Sequence, residues 1–135
     1  IRSLDHEEAG IAPATAFLDR LNVHSMDGFD VRRQVLGLVA QHLKPGAFYK
    51  AGNVSDGAFR RLAQKVDLEL LARLARADCH GRTGVFDCSA MDWFVDRARA
   101  LGVEHPQAAA APRARGEVRL AGAGLAGQNV QATGL

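Results

Sequence analysis

Three side chains that could bind a metal ion stand at the ends of helical patterns in this sequence. His42 follows an apolar stripe made of Val31, Val35, Leu38 and Val39, and Asp78 follows one made of Leu71, Leu74 and Ala75. His6 opens the first helical segment. A buried charge is tolerated when it binds a cation or is paired, so one metal site formed by His6, His42 and Asp78 is the first interpretation to test. The alternative is that each histidine is a hydrogen-bonded core or surface residue.

Helices are the elements that must position these residues, since apolar residues recur at spacings of three and four in the first half of the chain. Residues 5–21 predict one helix, which Pro13 would kink or restart. Residues 29–43 predict a second helix, with His42 in its last turn and Pro45 and Gly46 as its stop. Residues 44–54 are expected to form a loop, in which Phe48 and Tyr49 would be lids, anchors or core residues beneath it.

The second half of the chain predicts three more helices. Ser55 and Asp67 are suited to accept hydrogen bonds from the first backbone N–H groups of helices ending near residues 66 and 79. A last helix is expected over residues 90–101, capped by Asp87 or Ser89 and ended by Gly102. Three of its apolar side chains fall on roughly one side, which is more typical of core than of a cofactor site; they are Trp93, Phe94 and Ala98.

The composition is that of one globular domain. The chain has 135 residues, of which 47% are hydrophobic and 24% charged, and its net charge of +2 is too small to predict nucleic-acid binding by itself. No stretch predicts a membrane span or a signal peptide. The first residue is Ile1, so the chain looks cut from a longer one. Residues 106–135 are rich in Ala, Gly, Arg and Gln and predict a poorly structured tail.

The two cysteines match no familiar motif. Eight residues separate Cys79 from Cys88, which fits neither a redox motif nor paired zinc ligands, and the sequence therefore predicts reduced thiols in a cytoplasmic protein. A nucleophilic site built from Cys79, His80 and Asp78 is disfavoured, because adjacent residues at a helix end point in different directions. The remaining histidines are expected to have no role in a site. His24 lies in a predicted turn, His80 at a helix end where a cation is favourable, and His105 before Pro106.

Several segments resemble a known family. Residues 54–63, 70–84 and 86–94, including the run Arg76-Ala77-Asp78-Cys79-His80-Gly81-Arg82, are similar to the carboxy-terminal part of bacterial tRNA nucleotidyltransferase and poly(A) polymerase-like proteins that carry an HD phosphohydrolase domain. The run Asp5-His6-Glu7-Glu8-Ala9-Gly10 resembles the His-Glu-x-x-Gly segment that follows the HD pair in such domains.

The resemblance implies an all-α fold, an HD-domain-like array of about five helices over residues 1–105, followed by the tail at 106–135. It also implies a divalent-metal site for Mg²⁺, Mn²⁺ or Ni²⁺, with Asp78 matching the final metal-binding Asp and His6 and His42 matching the two preceding His ligands. Arg76 and Arg82 would hold phosphate. The substrate would be a nucleotide or RNA phosphoester, with tRNA as a candidate partner.

This chain departs from the family pattern in its first ligands. The preceding His, the His-Asp doublet and the nucleotidyltransferase motifs are absent from the sequence. The resemblance therefore implies that the chain contributes part of a phosphohydrolase site, that metal binding needs upstream ligands, and that the isolated chain is inactive. The alternative is a non-catalytic helical module that binds RNA or another protein through its arginines, for which affinity would fall with salt.

Overall fold

Seven helices make up the described part of the chain in a computed structural model, which covers residues 5–84 and 87–107. Their bounds are α1 His6–Ala9, α2 Ile11–Arg20, α3 Val31–Gln41, α4 Lys44–Ala51, α5 Asp56–Ala63, α6 Leu68–His80 and α7 Ser89–Ala100. No strand occurs within these residues, where the single β-bridge joins Met26 and Phe29 across a turn. The all-α class is confirmed. Of the tail expected at 106–135, residues 108–135 lie outside the described residues.

The two predicted N-caps are confirmed and fix the starts of α5 and α6. The hydroxyl of Ser55 accepts from the Ala58 N–H at 3.3 Å, and the carboxylate of Asp67 accepts from the Leu70 N–H at 2.8 Å. Each bond satisfies a backbone donor that has no partner within its helix. Four residues separate the two helices, of which Gln64 and Asp67 are caps, so α5 and α6 meet at a tight corner around Lys65 and Val66.

The first predicted helix is divided at Gly10 rather than at Pro13. Gly10 lies between α1 and α2, whereas Pro13 sits in the first turn of α2. Proline is tolerated there because the first N–H groups of a helix have no internal partner in any case.

The predicted loop at residues 44–54 was wrong, because most of it forms α4. Pro45 occupies the first turn of that helix, so it begins a helix instead of only ending the previous one. Phe48 projects from α4 onto Phe59 and Phe94, with ring centroids 5.2 and 6.1 Å away. Of the roles weighed for Phe48, packing against the core is the one observed.

The core lies where α5, α6 and α7 converge. Phe59 and Phe94 are fully buried and their ring centroids are 5.1 Å apart. The other buried members are Leu62, Ala63, Val66, Leu68, Leu71, Ala72 and Ala98. The core assignment of Phe94 and Ala98 is thus confirmed, with Trp93 partly buried at the edge. Against this core pack α4 and α3, and α1 and α2 lie on α3.

Candidate functional site

His6 and His42 meet at the junction of α1 and α3. Their Nε2 atoms are 3.0 Å apart and their ring centroids 4.9 Å, and both side chains are half-buried. His6 is the first residue of α1, and His42 follows the last residue of α3. The structure therefore brings together two of the three residues that the sequence nominated.

The hydrogen bond on the far side of the His42 ring sets its tautomer. His42 Nδ1 lies 2.8 Å from the carbonyl oxygen of Val39, which can only accept, so Nδ1 carries the proton. In the neutral imidazole the lone pair is then on Nε2, the atom that faces His6. A ring N–H donated to a backbone carbonyl is the arrangement that orients most metal-binding histidines.

Two features hold α1 close enough for the histidines to meet. Glu7 accepts a hydrogen bond from the backbone N–H of Leu43 at 3.1 Å, which ties α1 to the residue after His42. A Cβ atom added at Gly10 would lie 3.0 Å from Val39 Cγ1 and 3.0 Å from the His6 carbonyl oxygen. Contacts at that distance force neighbouring atoms to move, so glycine allows the approach. Sequence reasoning missed Glu7, although its position next to His6 was a usable signal.

Asp78 stands apart from the histidine pair. Its carboxylate pairs with Arg82 at 2.6 Å, one turn further along, and 38% of the side chain is exposed. Within residues 5–84 and 87–107, no three His, Cys, Asp or Glu side chains form a group that could hold a metal ion. The described geometry thus offers two nitrogen ligands, and Asp78 is not added to them.

The two arginines predicted to hold phosphate are both in ion pairs. Arg76 on α6 pairs with Asp92 on α7, and Arg82 pairs with Asp78. Arg76 also borders an open cavity of about 210 Å³ between α6 and α7, whose other lining residues are Glu69, Arg73, Asp92, Val95, Asp96 and Arg99. Since three arginines and three carboxylates face this cavity, its charges largely compensate one another.

Cys79 and Cys88 form a disulfide, so the prediction of reduced thiols was wrong. The bond joins the end of α6 to the N-cap of α7, with the two Cα atoms 6.1 Å apart. The turn at residues 81–84 follows α6, and the spacing rules for motifs do not capture a pairing of cysteines at the ends of two successive helices. Because a disulfide sulfur is not a thiolate, Cys79 is no nucleophile in this state.

His105 was assigned an ordinary role before Pro106 and instead lies buried. Only 4% of it is exposed, and it contacts Gln34, which is 2% exposed. His24 and His80 are exposed, as their positions in a turn and at a helix end predicted. The position of His105 depends on the path of the chain after α7, and no local pattern specifies that path.

Comparison with known proteins adds no identification. No protein-family model, curated protein or solved structure matches the chain. Across the described residues, no helix has the length and apolar character needed to cross a membrane. The geometry of the histidine pair is therefore the feature that points to a function.

Proposed function

We propose that this chain contributes the two-histidine part of a divalent-metal site that hydrolyses phosphoester bonds, with a nucleotide or RNA as substrate. The observation that carries the proposal is the 3.0 Å approach of the His6 and His42 Nε2 atoms. Asp78 is proposed as a further ligand on the strength of the sequence resemblance alone.

The spacing of the two nitrogens supports binding of one ion. Two ligand nitrogens with bonds of about 2.1 Å lie roughly 3.0 Å apart at a right angle and about 3.4 Å apart at the tetrahedral angle. The observed 3.0 Å therefore fits neighbouring positions around an octahedral ion. Imidazole suits Ni²⁺ better than Mg²⁺, so Ni²⁺ is the best probe among the three ions that the resemblance implies.

Binding of one ion by both rings requires a change of tautomer at His6. When no ion is bound, the His42 Nε2 lone pair is satisfied by a proton on His6 Nε2, because a 3.0 Å N···N contact is a hydrogen bond. An ion that binds both Nε2 atoms needs a lone pair on each, so the His6 proton must move to Nδ1. A divalent ion held by such ligands polarises a phosphoryl oxygen and lowers the pKa of water.

Calorimetric titration of Ni²⁺ and Mn²⁺ into the full chain tests the proposal. His42→Ala is expected to weaken binding by roughly tenfold or more, as losses at a metal site do. His24→Ala is the matched control, because the His24 side chain is exposed and hydrogen-bonds to Asn22, two residues earlier in the chain. Equal binding by wild type and His42→Ala contradicts the proposal.

The Asp78→Ala variant tests whether Asp78 is a third metal ligand beside His6 and His42. If Asp78 joins the site, its removal weakens Ni²⁺ binding; unchanged binding removes Asp78 and leaves the two histidines. Arg82→Ala is a useful companion, because it frees the Asp78 carboxylate from its partner at 2.6 Å. The proposal expects Arg82→Ala to strengthen metal binding where Asp78→Ala weakens it.

A helical RNA-binding module is the second candidate, and three arginines support it. Arg60, Arg61 and Arg73 are exposed and form no ion pair among the residues that the structure describes, whereas Arg76 and Arg82 do. These three side chains are therefore available to meet phosphate, as is Arg33, which is also exposed. RNA binding without metal whose affinity falls steeply with salt, and less steeply in Arg73→Ala, supports this function.

A further inference from the structure

Gln34 and His105 are the two buried polar side chains among the described residues. Gln34 lies on α3, and His105 belongs to the segment that follows α7. Their contact spans 71 residues of sequence and joins the end of the described chain to its first half. Buried polar groups of this kind stabilise a structure only while their hydrogen bonds are satisfied.

The groups that hydrogen-bond to the His105 ring are donors. Gln34 accepts the backbone N–H of Asp67 through Oε1 at 3.1 Å, so its amide nitrogen is the end that faces His105, 3.0 Å from Nδ1 and 3.1 Å from Nε2. The backbone N–H of Gln107 points at the same Nδ1 from 3.1 Å. Two donors at one nitrogen require that Nδ1 carries a lone pair.

The surroundings disfavour a charge on this ring. Burial lowers the pKa of His105 below its ordinary value of 6.5, and the positive charge of Arg33 on α3 acts in the same direction. The carboxylate of Asp67, at the start of α6, acts in the opposite direction but does not outweigh burial. Neutral His105 is therefore the form that fits the folded protein.

We propose that His105 is an acid-sensitive latch, which in its neutral form holds residues 103–107 against α3 and the start of α6 and releases them when Nδ1 is protonated. Protonation of His105 Nδ1 would bring its hydrogen against those of the Gln34 amide and the Gln107 N–H. It would also leave a positive charge among buried groups. Val103, which packs at the edge of the core, would leave with the segment. The proposal does not depend on the metal site, since it uses the opposite end of α3.

Amide hydrogen exchange of the full chain, followed by NMR at pH 7.5 and pH 5.0, tests the latch. The reporters are the N–H groups of Asp67 and Gln107, which bond to Gln34 and His105 respectively. After correction for the intrinsic pH dependence of exchange, their protection is expected to fall at least tenfold at pH 5.0. The Leu70 N–H, which bonds to the Asp67 side chain, serves as an internal reference within α6.

His105→Asn is the decisive variant, because an Asn carbonyl accepts hydrogen bonds near the Nδ1 position and does not titrate. Its protection is expected to be the same at both pH values, while the exposed control His24→Asn behaves as wild type. Protection that is unchanged in the wild type at pH 5.0, while the His105 ring is seen to titrate, overturns the proposal. Since that result needs only the wild-type protein, the test stands even if His105→Asn folds poorly.

Discussion

The Nε2 atoms of His6 and His42 lie 3.0 Å apart although the two residues are 36 positions apart in sequence. Each is placed by a contact outside the pair: Glu7 ties α1 to Leu43, and the Val39 carbonyl orients the His42 ring. A pair held from both sides loses little side-chain entropy when it binds a ligand, which is what a preorganised site requires.

Close packing of α3 on the α5–α6 corner depends on Gly37. A Cβ atom there would lie 2.9 Å from the Lys65 carbonyl oxygen, so Gly37→Ala is expected to lower the free energy of unfolding by about 1–3 kcal/mol. Gly46→Ala is the matched control in α4, where nothing lies within 4 Å, and it should raise stability by about 0.5–1 kcal/mol. Urea unfolding measures the free energy of unfolding of both variants. If the two substitutions changed it equally, the close approach of Gly37 to the Lys65 carbonyl would be refuted.

The Cys79–Cys88 disulfide should contribute measurably to stability. Its two cysteines are nine positions apart, and closing a loop of about ten residues stabilises a fold by about 2–3 kcal/mol through the entropy of the unfolded chain. Urea unfolding with and without a dithiol reductant checks this, with the Cys79→Ala/Cys88→Ala double variant as a control that should not respond. A thiol assay that finds free cysteines in the unreduced protein would contradict the bond.

The Asp67 carboxylate is expected to stabilise the start of α6 by its hydrogen bond to the Leu70 N–H. Asp67→Ala should cost about 1 kcal/mol, and Asp67→Asn, which keeps an accepting oxygen, should cost much less. Thermal unfolding at pH 7.5 distinguishes the two variants. Identical losses would mean that the charge rather than the cap is important.

His105 makes the stability of the protein dependent on pH in a definite direction. Because its pKa is lowered in the folded state, the unfolded chain binds more protons between that pKa and 6.5, and stability therefore falls as pH drops below 6.5. The slope from one such group cannot exceed about 1.4 kcal/mol per pH unit. Urea unfolding from pH 8 to pH 5 should show this loss in wild type and a smaller one in His105→Asn.

The sequence was sufficient for what depends on local chemistry. Apolar periodicity predicted helices over the segments that form α1 to α3 and α5 to α7, and the side chains of Ser55 and Asp67 predicted two of their starts correctly. The loop predicted after Pro45 was wrong because a proline, which cannot continue one helix, is favoured in the first turn of the next.

Long-range placement was beyond the reach of these patterns. The apolar stripes placed His42 and Asp78 at helix ends, but whether those ends meet depends on how α3 crosses α6, which no stripe specifies. The close approach of Gly37 to the Lys65 carbonyl is one long-range contact of that kind. His105 and the disulfide likewise depend on turns that reverse the chain. The proposed metal role of His6, His42 and Asp78 stays a prediction.

The tautomer and metal response of the two imidazoles test the central claim most directly. Long-range ¹H–¹⁵N NMR of the full chain at pH 7.5 should show His42 protonated at Nδ1, the atom that faces the Val39 carbonyl. Addition of diamagnetic Zn²⁺ as a stand-in ion should shift the Nε2 resonances of both His6 and His42 together, at concentrations that leave His24 and His80 unchanged. If Zn²⁺ shifts His24 and His80 first, or leaves the His6–His42 pair unmoved, the pair is a structural hydrogen bond and not a metal site.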